Sequence, residues 1–219
     1  MAGVPQIIAI AGGSCSGKTT LAKALREHVG RENCLLIRQD DYYFDLLDRH
    51  FDEGSLPNFD IPEALDFDQM RADLLALQSG KAVALPSYDF ATHRRREAEI
   101  PQIATRYIIL EGLLLLSQSH LRELFDMSVY VRCDEATRLE RRQIRDIQER
   151  GRTAECVLQQ FHTEVRPAHD AYIRPSAAHA DLVVPQEEYV TDLSGLVARI
   201  HNSIAMPAIA SPHLSSASA

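Results

Sequence analysis

Gly12-Gly13-Ser14-Cys15-Ser16-Gly17-Lys18-Thr19 is the segment in which residue type and spacing say most about chemistry. It fits the pattern G-x-x-x-x-G-K-[ST]. Glycines let successive backbone N–H groups turn inward around phosphate oxygens, the lysine neutralises the outer phosphates, and the hydroxyl is offered to Mg²⁺. Thr20 begins a helix-like stretch, 20–29, whose N-terminal dipole favours an anion. Taken alone, the segment implies a nucleoside triphosphate and nothing narrower.

Three carboxylates stand where they could join that chemistry. Asp40 and Asp41 follow an apolar run at 34–37. A carboxylate at that point can take the proton of an attacking hydroxyl or hold Mg²⁺ through water, although a solvated turn pair is the plainer alternative. Glu111 closes the apolar run 107–110 and is followed by Gly112, which suits a metal-side acid beside the phosphate loop.

These residues need a scaffold that brings them together. Short apolar runs at 7–11, 34–37, 107–110, 128–131 and 182–184 predict five strands, and three of the runs lack polar alternation. Unalternating strands indicate a parallel sheet covered on both faces. Helical spacing links Phe67, Met70, Leu74 and Leu77, with Gly80 placed as a C-cap. Leu193, Leu196, Val197, Ile200 and Ile204 form a second stripe, capped by Thr191 or Asp192. The expected fold is therefore α/β, with residues 1–205 as a single domain around a five-stranded parallel sheet. Two stretches break the rhythm: 41–66 reads as an extended loop, and 82–106 as a small hairpin excursion. Residues 206–219, rich in Ser and Ala, read as a disordered tail.

Composition narrows the classes further. The 219 residues carry a formal net charge of −8, which argues against bulk binding to nucleic acid or an anionic membrane. The four cysteines are widely spaced, as in reduced thiols. No apolar run reaches the ~18–20 residues that span a bilayer, and the N-terminus lacks the order of a signal peptide. The chain reads as cytoplasmic.

Further segments carry a resemblance: Gln39-Asp40-Asp41-Tyr42-Tyr43, Asn58-Phe59-Asp60, Pro86-Ser87-Tyr88-Asp89-Phe90-Ala91-Thr92-His93, Leu110-Glu111-Gly112, and the arginine-rich run 137–152. With the phosphate loop they occur in the order found in the uridine kinase (uridine–cytidine kinase) family, within the phosphoribulokinase and uridine kinase group, and the sequence resembles that family from about 7 to 204. The resemblance implies a P-loop NTPase fold with a helical lid at about 138–166. It also implies ATP as donor (GTP as an alternative), Mg²⁺, and a nucleoside acceptor, with a homo-oligomer, often a tetramer, as the assembly.

Roles follow from the resemblance, position by position. Asp40 is expected as catalytic base and outer-shell Mg²⁺ partner, and Glu111 as the second acid near the metal. Asp60 is expected on the ribose hydroxyls, with Tyr88 and His93 reading the base edge and Phe59 and Phe90 flanking the ring. Arg142, Arg152 and Gln160 are expected to touch substrate, and Arg145 and Arg150 to clamp phosphate. The chemistry is coherent: a neutral pyrimidine needs an apolar slot and edge hydrogen bonds, and a transferring phosphoryl group needs fixed guanidinium donors. Arg138, Arg142 and Arg145 also share one helical face, as a lid over phosphate requires. A plainer possibility is an exposed helix with i,i+4 ion pairs to Glu140, Asp146 and Glu149.

The sequence departs from the family at two places. Ile61 replaces a histidine usual before the proline, and 184–190 (Val-Pro-Gln-Glu-Glu-Tyr-Val) replaces a basic, glycine-containing loop near the adenine. Tyr42-Tyr43 loosely resembles nicotinamide riboside kinases. Rival readings are a kinase for nicotinamide riboside, pantothenate or a sugar phosphate, and a non-catalytic regulatory nucleotide-binding protein.

Overall fold

Ile8 and Ile10 of the first strand pack on one side of a sheet, Ile7, Ala9 and Ala11 on the other, and all five are fully buried. That two-sided burial is why the strand shows no polar alternation. The structure, a computed structural model, describes residues 3–45, 58–90 and 92–205. The expected tail at 206–219 and the middle of the 41–66 loop lie outside the described residues.

In chain order, β1 (Gln6–Gly12) leads to α1 (Lys18–Val29), β2 (Cys34–Arg38) and α2 (Phe67–Gln78). The hairpin β3 (Pro86–Asp89) and β4 (Arg94–Glu97) precedes β5 (Tyr107–Gly112), a short α3 (Ser119–Arg122) and β6 (Met127–Arg132). Then come α4 (Glu135–Arg150), α5 (Ala154–Gln160), α6 (Arg166–Ala168) and α7 (Arg174–Ser176), followed by β7 (Leu182–Pro185), α8 (Gln186–Thr191) and α9 (Leu193–Ala205).

The five-stranded sheet has the order β2-β5-β1-β6-β7, and every pairing is parallel. Helices α1 and α9 cover one face through Leu21, Leu25, Leu196 and Ile200, while α2 covers the other through Met70, Leu74 and Leu77. Asp66 caps α2 by accepting from Gln69 N at 3.0 Å. Asp192, not Thr191, caps α9, accepting from Gly195 N at 2.8 Å.

The structure adds detail at three places. Glu111 lies inside β5, paired in register with Ile10, so its backbone is held by the sheet. The stretch 184–190 is no loop: Pro185 ends β7 and α8 begins at once. The helices expected to form a lid also run beyond 166. After α5 the chain stays helical to Ser176, through π turns at Phe161–Val165 and His169–Ile173. Each π turn is followed by an Arg-Pro pair, Arg166-Pro167 or Arg174-Pro175. Proline removes a helical donor and crowds the preceding turn, and the widened turn accommodates it. Among the described residues no helix is long and apolar enough to cross a membrane.

Candidate active site

The phosphate loop leaves β1 at Gly12 and enters α1 at Lys18, between the C-terminal ends of β5 and β6. Ser16 N donates to Gly13 O at 3.1 Å, closing the loop on itself. Gly17 stands at the helix N-cap with φ 102°, and Cys15 takes φ 60° without being a glycine. Such left-handed positions curl backbone N–H groups toward a common centre, the geometry of an anion nest. The buried Ser16 hydroxyl, without a hydrogen-bond partner, packs beside Gly12 at the start of the loop.

Thr19 Oγ1 donates to Glu111 Oε1 at 3.0 Å. Burial pushes the Glu111 carboxyl up, and the nearby Lys18 cation opposes that rise. The hydroxyl and the carboxylate, beside a nest that would hold phosphate, are hard oxygen donors of the kind Mg²⁺ takes together with nucleotide phosphates and water. Among the described residues no group of three or more His, Cys, Asp or Glu could hold a metal ion unaided. The residues present fit a metal delivered with a triphosphate. Gly112 beside Glu111 is required sterically, since a Cβ there would meet the Gln39 side chain at 2.3 Å. Gln39, fully buried, uses Oε1 to accept from Leu114 N at 2.8 Å, fixing the turn after β5.

Asp40 and Asp41 have different surroundings. Asp41 is committed: Arg38 Nε donates to its Oδ2 at 2.9 Å, and Tyr88 N to its Oδ1 at 3.2 Å, which ties the hairpin to the end of β2. Asp40 instead lines a cavity with Lys18, Tyr43, Phe59, Asp60, Phe90, Leu113 and Ser14. Arg142, Arg145, Arg150, Arg152 and Gln160 roof it. Asp60 is 3% exposed; burial raises its pKa, and the Arg142 cation counteracts this.

The open volume of this cavity is about 50 Å³, because its walls lean on one another. Arg142 Nη1 donates to Ser14 Oγ at 2.9 Å, and its Nη2 to Gln160 Oε1 at 3.1 Å. Arg152 Nη1 donates to the same Gln160 oxygen at 2.6 Å. The Arg150 guanidinium lies 4.8 Å from the Phe90 ring centroid. A second groove, about 310 Å³ in volume, is lined by Cys15, Gly17, Lys18, Thr19, Thr20, Arg141 and Arg145. Lys18 and Arg145 line both spaces.

Tyr88 and His93 are not among the residues lining the cavity; they stand behind its aromatic wall. His93 stacks on Phe59 at 5.5 Å with an interplanar angle of 16°, and Tyr88 meets Phe90 edge-on at 5.1 Å. Tyr88 Oη and His93 Nδ1 are 3.5 Å apart. Burial, then the Arg152 charge, holds the His93 imidazole below its usual range. Ile61, half-buried, does not line the cavity either; it leads into a single turn, Pro62–Ala64.

Sequence reasoning did not single out Tyr43, Leu113 and Ser14 as cavity walls. It also passed over Glu164, whose Oε2 accepts from Gln160 Nε2 at 3.2 Å. Arg138 is almost fully buried against Gly13, with Nε and Nη1 lacking partners. The shared face of Arg138, Arg142 and Arg145 does turn toward the phosphate loop.

A profile described as the Phosphoribulokinase / Uridine kinase family matches residues 7–191. A protein named uridine kinase from Brevibacillus brevis is 42% identical over 187 residues, covering 85% of this chain and 87% of the relative. One of the same name from Halobacterium salinarum is 40% identical, covering 82% and 79%. Among solved structures, one titled a possible uridine kinase from Bacillus stearothermophilus aligns with a TM-score of 0.62 at 23% identity, covering 84% of this chain and 89% of that one. D-glycerate 3-kinase from Cryptococcus neoformans aligns at 0.54 and 14%, covering 84% and 87%. At such identities the structures support the fold alone, that of a P-loop NTPase.

Proposed function

Because the chain belongs to the phosphoribulokinase and uridine kinase family, a phosphotransferase lineage with alcohol acceptors, we propose that it transfers the γ-phosphoryl group of ATP to the 5′-hydroxyl of uridine or cytidine. The observation that carries this reading is the meeting of two spaces at Lys18 and Arg145. One is a phosphate-loop groove for the donor. The other is walled by aromatic rings and carboxylates, which suits an uncharged ring and a ribose.

In this reading the acceptor hydroxyl lies against Asp40. Asp40 takes its proton as the oxygen bonds to the γ-phosphorus, and the bond from phosphorus to the bridging oxygen breaks to release ADP. Lys18 and Arg145 stand where negative charge spreads over the equatorial oxygens. Asp60 accepts from the ribose hydroxyls, and Phe59 and Phe90 face the base. Thr19 and Glu111 would hold Mg²⁺, which neutralises phosphate charge when bound. Ligand pockets for small molecules measure roughly 300–1,000 Å³, so the 50 Å³ cavity has to open by withdrawal of the arginine roof from the aromatic wall.

The test is ADP release with Mg-ATP against uridine, cytidine, nicotinamide riboside, pantothenate and ribulose 5-phosphate. Turnover with the pyrimidine nucleosides alone is expected. Turnover confined to another panel member would replace the substrate, and none at all would bring forward a regulatory nucleotide-binding role.

A further inference from the structure

Asp146 is an acidic residue on which four lid arginines converge. Arg145 Nη2 is 2.8 Å from Oδ1, Arg152 Nη1 3.4 Å from Oδ2, Arg142 Nε 3.5 Å from Oδ2, and Arg150 Nε 3.7 Å from Oδ1. The Asp146 side chain is 0% exposed, and it does not line the cavity, although all four arginines do. Its backbone carbonyl accepts from Gly151 N, and from Arg152 N at 3.1 Å, so the same residue closes the turn between α4 and α5.

Four guanidiniums packed side by side repel one another and would turn outward to water unless an anion held them. Four positive charges against the one negative charge of Asp146 leave a formal excess of three on the arginine side, which faces Asp40 and Asp60 across the cavity. We propose that Asp146 is a positioning residue: its buried carboxylate gathers Arg142, Arg145, Arg150 and Arg152 into the array that meets the transferring phosphoryl group. This rests on the kinase reading. Asp146 does not touch substrate; it acts through the arginines, sparing the reaction the cost of ordering them at the moment of transfer. Because the carboxylate is shared, no single arginine is fully neutralised, and each keeps donors for an incoming phosphate. The i,i+4 pairs expected of a solvated helix are present at Arg142 and Arg150, but they point inward to one centre.

The test compares the full-length protein with Asp146→Asn and Asp146→Glu. It measures uridine kinetics, tripolyphosphate binding by calorimetry without metal or nucleoside, and thermal unfolding. Asp146→Asn is expected to lose about 100-fold in kcat while binding tripolyphosphate at least as tightly, because a competing anion is gone. Asp146→Glu, which keeps the charge at the cost of a worse fit, should retain more kcat than Asp146→Asn. A residue needed only for packing would give the reverse order, with turnover and anion binding falling together. That result, or an Asp146→Asn kcat within about threefold of wild type, would overturn the proposal. In the unaltered protein, NMR of arginine Nε–H groups should show four restrained guanidiniums without ligand; freely rotating ones would contradict it whatever the variants do. Absence of wild-type turnover would count against the substrate reading alone, since the tripolyphosphate and NMR arms do not depend on it.

Discussion

Thr19 Oγ1 lies 3.0 Å from Glu111 Oε1, a bond across 92 positions of sequence that joins the first turn of α1 to the end of β5. Burial makes ionisation of Glu111 costly, and a cation held between the two oxygens would favour its charged form. Glu111→Gln is expected to raise the Mg²⁺ concentration at half-maximal rate by about 10–100-fold. An unchanged metal titration would remove Glu111 from the metal side of the site.

Adjacent carboxylates should behave oppositely. Asp41 is occupied by Arg38 and by Tyr88 N, whereas Asp40 faces the cavity. Asp40→Asn is expected to lose about 10²–10⁴ in kcat with ATP binding retained. Asp41→Asn should cost less than about tenfold in kcat, with some loss of stability through the hairpin tether. Equal losses in turnover would refute the division of roles.

His93 supports the aromatic wall from behind, stacked on Phe59. His93→Ala should raise the KM for nucleoside by about tenfold or more and leave the KM for ATP unchanged. A parallel rise in both would mean that the residue maintains the hairpin and nothing more selective.

A pH effect is expected at His169. Burial, with the Arg138 cation beside it, pushes its imidazole down from 6.5 to about 4. The folded state therefore binds fewer protons than the unfolded one between these values. The contribution is present above 6.5 and lost as pH falls toward about 4. Urea midpoints measured at pH 7 and pH 5 should fall further for wild type than for His169→Gln. An identical drop in both would show that His169 does not titrate with unfolding.

The strands and the phosphate loop could be read in the sequence because their signals are local. Ile7 to Ala11 announces two-sided burial by itself, and Gly17-Lys18-Thr19 carries its own chemistry. Glu111 stands out for the same reason, as a carboxylate closing an apolar run. What could not be read depends on convergence from distant segments. Nothing in Asp40-Asp41 says that Tyr88 N, 47 positions on, will occupy Asp41. The convergence on Asp146 was half visible, since Arg142 and Arg150 stand four residues either side of it, but the return of Arg152 across the Gly151 turn was not. Leu113 carried only the signal of an apolar residue near a named carboxylate, which serves core and cavity alike, and Tyr43, though part of the motif Gln39–Tyr43, had no stated place in the site.

The most direct test is to identify the product formed from uridine and ATP, with 5′-deoxyuridine as control. Incubation with Mg-ATP followed by ³¹P NMR and mass spectrometry should give the 5′-monophosphate in equal amount to ADP from uridine, and no phosphorylated product from 5′-deoxyuridine. A phosphate on another hydroxyl, or ADP formed equally without acceptor, would contradict the reading of the Asp40–Lys18–Arg145 junction as the place where a nucleoside 5′-hydroxyl is phosphorylated.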